Sequence, residues 1–155
     1  MIIRPLTEMA EFQRCVELQR ETWGSADIDI MPARYFVTTS HTGGLVLGAF
    51  DGENVVATVT LLLGLPPNQP HRAEIAKMMT KVSHRHRGIA TALMRAAEKL
   101  AIERGRTLLV LDTAVDDGAS SLYEGLGFNL TGIIPDYALK PHGGLTGTMI
   151  YWKRL

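Results

Sequence analysis

The stretch from Gly88 to Asp112 constrains the fold more than any other part of the chain. Ile89, Leu93, Ala96, Ala97 and Leu100 fall on one face of a helix, Arg95, Glu98, Lys99 and Glu103 fall on the other, and Gly105 ends the pattern. Directly afterwards, Thr107 to Leu111 is a continuous run closed by Asp112. Such a run suits a strand covered on both faces of a sheet. A helix leading into a strand of that kind is a crossover, so the strands on either side of it should lie parallel. The earlier of the two is the extended pattern from Ala73 to Val82.

The remaining segments supply antiparallel neighbours. Ile2 to Leu6 reads as a short strand, and Thr7 is expected to cap a helix carrying Met9, Phe12, Val16 and Trp23, stopped by Gly24. Val46–Phe50 and Val55–Leu65 are β-rich runs joined by Asp51-Gly52-Glu53-Asn54, a hairpin connection. Pro66-Pro67-Asn68-Gln69-Pro70 must be an exposed loop. Asp116 or Asp117 is expected to cap a second short helix through Ala119, Leu122, Tyr123 and Leu126, closed by Gly127, and Thr146–Lys153 gives a last strand. The fold class is therefore a mixed α/β sheet. With 155 residues, 46% of them apolar, and neither repeat nor linker, residues 1–155 form one domain.

Charge and cysteine content narrow the partners. Sixteen basic side chains balance sixteen acidic ones, so no general field draws the chain to nucleic acid or an anionic membrane, and any anion site must be local. The single Cys15 excludes an internal disulfide framework, and no cysteines show zinc spacing, so no metal is expected and a reducing, cytoplasmic setting fits best. The longest apolar run, Val55 to Leu65, is interrupted by Thr58, Thr60 and Gly64 and is too short to span a bilayer, while the start lacks a signal-peptide core.

One segment is a candidate for such a local site, with a solvated basic turn before a helix as its other reading. Arg85-His86-Arg87-Gly88-Ile89-Ala90 stands between a strand pattern and the amphipathic helix. The first turn of a helix leaves backbone N–H groups unpaired and carries partial positive charge. Gly88 and Ala90 keep bulk away from those amides, and Arg85 and Arg87 add cations. The spacing is neither a Walker loop nor a dinucleotide fingerprint. Arg-x-x-Gly-x-Ala in this position, followed by Ser121-Leu122-Tyr123-Glu124-Gly125-Leu126-Gly127-Phe128, resembles the Gcn5-related N-acetyltransferase (GNAT) superfamily.

The resemblance implies a GNAT fold with about four helices. Its fourth and fifth strands splay apart to hold acetyl-CoA, and acetyl is transferred to a primary amine by direct attack in a ternary complex. It implies that Met78, Met79 and Thr80 face the pantetheine arm and that Arg85, His86, Arg87, Gly88, Ile89, Ala90 and Thr91 surround the pyrophosphate. It also implies that Tyr123 protonates the leaving thiolate, with backbone N–H groups near Met79 stabilising the oxyanion. Glu74 and Lys77 in the fourth strand, Leu111-Asp112-Thr113, Tyr123, and Pro135, Tyr137, Pro141, Gly143, Leu145, Thr148, Tyr151, Lys153 and Leu155 make residues Arg72 to Leu155 similar to the tabtoxin-resistance acetyltransferase group, which implies that Glu74 and Asp112 accept the amine's proton. Ala90 in place of a second glycine, Val82 in place of a frequent proline and Asp116 where many relatives carry asparagine depart from the pattern.

The residues themselves leave other readings open. Glu74 also fits an exposed strand position, Asp112 a turn, and Tyr123 the apolar stripe of its short helix. His84 and His86 alternate with arginines and read as solvated loop residues, while Trp23, Tyr35 and Phe36 have no assignment. Tyr137, His142, Gly143 and Gly144 form a loop that covers the acceptor or contacts a second copy in a homodimer. The expected partner is a small-molecule amine, with no nucleic acid and no membrane. A peptide or protein amine, and a CoA-binding regulatory module without turnover, are the alternatives.

Overall fold

Strong helix formers without an internal Gly or Pro make α3, Ile89–Glu103, and the apolar run after it becomes β5, Leu108–Ala114. The computed structural model describes residues 1–24 and 30–155. Before α3 comes β4, Arg72–Thr80, parallel to β5 as the crossover demands. Around this pair lie β1 (Ile2–Pro5), β2 (Leu45–Asp51), β3 (Asn54–Leu62), β6 (Asn129–Leu139) and β7 (Leu145–Arg154). They form one seven-stranded sheet in the order β1-β2-β3-β4-β5-β7-β6, and every pairing except β4–β5 is antiparallel. The helices α1 (Met9–Trp23), α2 (Ala33–His41), α3 and α4 (Ser120–Gly125) complete the mixed α/β architecture expected from sequence. No described helix is long and apolar enough to cross a membrane.

Two clusters cover the two faces of the sheet. Ile89, Leu93, Met94, Ala97 and Ala101 of α3 pack with Leu47, Val59, Leu61, Ile75, Leu109 and Leu111 on one side. On the other, Phe12, Cys15 and Leu18 of α1 and Phe36 of α2 pack with Val46, Phe50, Val55 and Met79. Lys153 of β7 ties the sheet to α3 through Glu98, with Nζ at 2.7 and 2.8 Å from its two carboxylate oxygens. Burial pushes the Cys15 thiol up to about 12, so it stays protonated.

Several boundaries differ from the sequence expectation, each for a local reason. The strand read as Ala73–Val82 ends at Thr80, and Val82–His84 is a 3-10 turn closed by His84 N–H donating to Lys81 O. Thr7 does not cap α1. The cap is Glu8, and Oε2 of Glu11 accepts the N–H groups of Thr7 and Glu8. Gly24 closes the helix in the left-handed region, with φ of 59°. Neither Asp116 nor Asp117 caps α4, which follows Ala119. Both carboxylates are held by side chains instead: Thr146 Oγ1 donates to Asp116 at 3.0 Å and Thr113 Oγ1 donates to Asp117 at 3.5 Å.

Two elements are absent from the sequence reading. The α2 sequence is rich in Thr, Val and Ser, poor helix formers, and its hydroxyls fold back onto its own carbonyls, Thr39 onto Tyr35 O and Ser40 onto Phe36 O. The fully buried ring of Phe36 anchors it. β6 includes Gly132, Pro135 and Asp136, and its pairing with β7 shifts register twice. Tyr137, expected in a loop, belongs to this strand. β6 is the outer edge of the sheet and exposes Leu130, Ile133, Ile134, Tyr137 and Leu139.

Two predictions follow from the packing. Leu93 is fully buried at the centre of the α3 face, so Leu93→Ala should lower unfolding free energy by about 2–5 kcal/mol in denaturant titration. The Arg4 guanidinium, with the amides of Thr7 and Glu8, holds the Glu11 carboxyl at about 2 instead of 4.5. A lowered folded value stabilises the fold above pH about 4.5, and that contribution disappears as pH falls towards 2. Glu11→Gln should therefore reduce Tm at neutral pH and flatten the acid limb of Tm against pH over that window.

Candidate active site

The site is built where β4 and β5 stop pairing. Their parallel register runs from Arg72 opposite Leu108 to Ile75 opposite Leu111 and ends there. Beyond it, β4 bonds only to β3 and β5 only to β7. The facing edges of residues 76–80 and 112–114 are thus left open inside the sheet, where strand edges are normally paired. A bulge sits on the open part of β4. Thr58 faces Met79 and Thr60 faces Ala76, so Val59 alone spans Lys77 and Met78. Lys77 adopts φ of 51°, unusual for a residue with a side chain.

A cavity of about 680 Å³ opens into this gap, with Trp23, Lys77, Met78, Asp112, Tyr123 and His142 in its wall. Tyr123 is 6% exposed, and its ring packs on Phe128 and Tyr151 at centroid distances of 6.1 and 5.9 Å. Burial, then the negative charges of Asp117 and Asp112, raise its hydroxyl well above the ordinary tyrosine value, so it remains a proton donor. Asp112 is exposed to the cavity. Its Oδ2 accepts from Thr148 Oγ1 at 2.9 Å, and its Oδ1 has no partner among the described residues.

Glu74 occupies a different setting. It lies on the still-paired part of β4, opposite Val110, ion-paired with Arg72 at 3.0 Å, and it does not line the cavity. The structure thus brings Tyr123 and Asp112 into one cavity and leaves Glu74 outside its wall.

Of the three β4 residues expected along the open edge, Met78 lines the cavity, Met79 is buried in the cluster under α1 and α2, and Thr80 pairs with Ala57 of β3. All three lie on the part of β4 that has lost β5. The Arg85–Thr91 segment sits outside the cavity wall, at the start of α3. Arg85, His86, Arg87 and Gly88 are exposed, while Ile89 is buried against the sheet. His86 and Gly88 both take left-handed backbone, φ of 58° and 75°. The first intrahelical bond runs from Ala92 N–H to Gly88 O, so the amides of Ile89, Ala90 and Thr91 have no acceptor within the helix. Nothing lies within 4 Å of where a Gly88 side chain would begin, so this cradle is open.

Some expectations need correction and some residues went unseen. His84 is not a solvated loop histidine: Nε2 lies 3.2 Å from Asp51 Oδ2 and Nδ1 lies 2.9 Å from Ser83 Oγ, fastening the turn to the β2–β3 hairpin. The β6–β7 loop lines one wall of the cavity and reaches the end of α1. A side chain at Gly24 would begin 3.7 Å from His142 Nε2, and Lys140 holds Asp116 at 3.3 Å. Lys77 and Thr148 match the tabtoxin-resistance pattern but had no assigned role, and the bulge and the β5–β7 register bring them into the site. Among the described residues, no three His, Cys, Asp or Glu side chains gather as a metal site.

The same fold recurs in known proteins. Independently of any motif, the backbone superimposes on yncA of Salmonella typhimurium, solved with its cofactor acetyl-CoA, at a TM-score of 0.84 and 16% identity, covering 99% of this chain and 93% of that one. The ribosomal-protein-S18-alanine N-acetyltransferase of Escherichia coli gives 0.80 at 18% identity, covering 99% and 92%. In sequence, N-acetyltransferase 8B of Rattus norvegicus is 38% identical over 86 residues, 54% of this chain and 39% of the rat protein, so the chain spans about two-fifths of that relative. The acetyltransferase (GNAT) family matches residues 12–128, a span that includes the splayed strands, the Arg85–Thr91 cradle and Tyr123. The chain belongs to the acetyltransferase (GNAT) family.

Proposed function

We propose that the protein is an acetyl-CoA-dependent N-acetyltransferase that acetylates a primary amine of a small molecule by direct attack in a ternary complex. The observation that carries this reading is the loss of β4–β5 pairing beside a cavity holding Tyr123 and Asp112. The residues fit the cosubstrate. The open edge of β4 can pair with an amide-bearing arm, as a strand edge pairs with a peptide. The unpaired amides of Ile89, Ala90 and Thr91, open at Gly88 and flanked by Arg85 and Arg87, suit a pyrophosphate. When bound, acetyl-CoA supplies an acetyl group activated as a thioester.

The chain's own residues do the proton chemistry. An amine arrives as its ammonium and must lose a proton before its nitrogen can form the new C–N bond. Asp112 has a free oxygen in the cavity wall, which favours it over Glu74 as the acceptor of that proton. Thr148 fixes the other oxygen and so the carboxylate's orientation. As the C–S bond breaks, the Tyr123 hydroxyl donates its proton to the departing sulfur, and burial keeps that proton in place at neutral pH. Backbone N–H groups at the bulge near Met79 stabilise the transient oxyanion.

The acceptor is read as a small molecule because the β6–β7 loop lines one wall of the cavity and reaches the end of α1, and because residues 72–155 resemble the tabtoxin-resistance acetyltransferases. Thiol release from acetyl-CoA with a panel of small amines and free N-terminal peptides tests the reading. Release with peptides alone moves the acceptor class, and CoA binding with no release on any amine overturns the enzyme.

Tyr123→Phe should lower kcat by about a hundredfold or more while the KM for acetyl-CoA stays within about threefold. An unchanged kcat removes Tyr123 from the chemistry. In wild type, the raised Tyr123 value means that rate should not fall on the alkaline side until pH passes the ordinary tyrosine value of about 10. Gly88→Val puts a branched side chain at φ of 75° beside the cradle. Calorimetry should show acetyl-CoA binding weakened by about tenfold or more.

A further inference from the structure

Lys77 matches the tabtoxin-resistance pattern in β4, and the proposed chemistry gives it no role. Successive strand residues face opposite sides, and Ala73 and Ile75 point into the α3 cluster, so an unbroken strand would send Lys77 there as well. The extra residue in the bulge changes this. Met78 takes the α3 side, and Lys77 swings to the other side, where Nζ lies 5.4 Å from the centre of the Trp23 ring in the cavity wall. A left-handed conformation is unfavourable for a residue with a side chain, and here it accompanies the turn that brings an ammonium into the cavity.

That ammonium has no hydrogen bond and no ion pair among the described residues, only the ring face of Trp23. Burial lowers its ionisation, opposed by the charge of Asp112, so the group is partly desolvated and lacks a close counter-ion. The other lysine in the wall, Lys140, is already committed to Asp116. Asp112 offers its free oxygen to the same cavity. The cavity therefore presents one cation without an ion pair among the described residues, Lys77, and two carboxylates without one, Asp112 and Asp117, of which Asp112 acts on the Lys77 charge from beyond ion-pair distance.

Resting on the acetyltransferase reading, we propose that the acceptor is an amine that also bears a carboxylate, an amino acid, with Lys77 as the residue that binds the carboxylate. A zwitterion matches both charges: its ammonium meets Asp112 and its carboxylate meets Lys77. A single lysine without an arginine partner suits a singly charged carboxylate better than a phosphate, for which paired or forked donors are usual. The apolar faces of Trp23 and Tyr137 in the same wall favour an apolar side chain on that amino acid.

The test pairs apolar L-amino acids with their carboxamides, which keep the amine and side chain and lose the negative charge. Wild type should show kcat/KM at least about tenfold higher for the acid than for the amide, chiefly through KM. Lys77→Met should abolish that preference while leaving kcat/KM on the amide within about threefold, and Lys77→Arg should restore part of it. Equal rates on acid and amide in wild type overturn the inference, as does an equal loss on both substrates in Lys77→Met. Calorimetry on the CoA-loaded protein reads the same preference without turnover. Acids bound at least about tenfold more tightly than amides, with no thiol release, would uphold the carboxylate site and overturn the transferase reading alone. Equal or absent binding of both would overturn the site.

Discussion

The parallel pairing of β4 and β5 ends at Ile75 and Leu111, and the rest of the molecule is organised around that termination. Two strands joined by a helix must start side by side, because α3 packs its apolar stripe across both of them. They then part, each kept in the sheet by its other neighbour, β3 for β4 and β7 for β5. An open edge inside a sheet would ordinarily be a defect. Here it is held open by two antiparallel partners and lined with Lys77, Met78 and Asp112.

Around the gap, three side chains obtain their properties from three different surroundings. Tyr123 keeps its proton because α4 and the rings of Phe128 and Tyr151 bury it. Asp112 stands at the last step of β5 where Thr148 can still reach it across the β5–β7 register, which orients one oxygen and frees the other. Lys77 enters the cavity only because β4 carries one residue more than β3. The proposed cofactor cradle is separate from all three. It depends on backbone amides at the start of α3 and on a glycine that leaves them uncovered.

Much of the fold was legible in the sequence wherever pattern and propensity agree. The α3–β5 unit carries a clean amphipathic stripe followed by an apolar run, and the β2–β3 hairpin carries Asp-Gly turn chemistry, so each was readable from a short window. α2 was not, because its Thr, Val and Ser residues disfavour a helix and only the burial of Phe36 compensates. β6 was not, because glycine, proline and two register shifts break its alternation, and pairing along β7 supplies the order that the pattern lacks. The acids at 116 and 117 looked like caps, and they instead meet hydroxyls of β7 and β5 that no local window contains.

By itself the sequence determined the mixed α/β class and the crossover, since both follow from short-range periodicity and turn chemistry, while the candidacy of the Arg85–Thr91 segment, Tyr123 and Asp112 came from a family resemblance carried by their motifs. Only the tertiary structure decided where β4 and β5 separate, that Glu74 is engaged with Arg72 away from the cavity, and that Lys77 turns into it. The physical reason is that strand register and bulges are set by partners distant in the chain. A one-residue shift sends a side chain to the opposite face, and no local pattern records it.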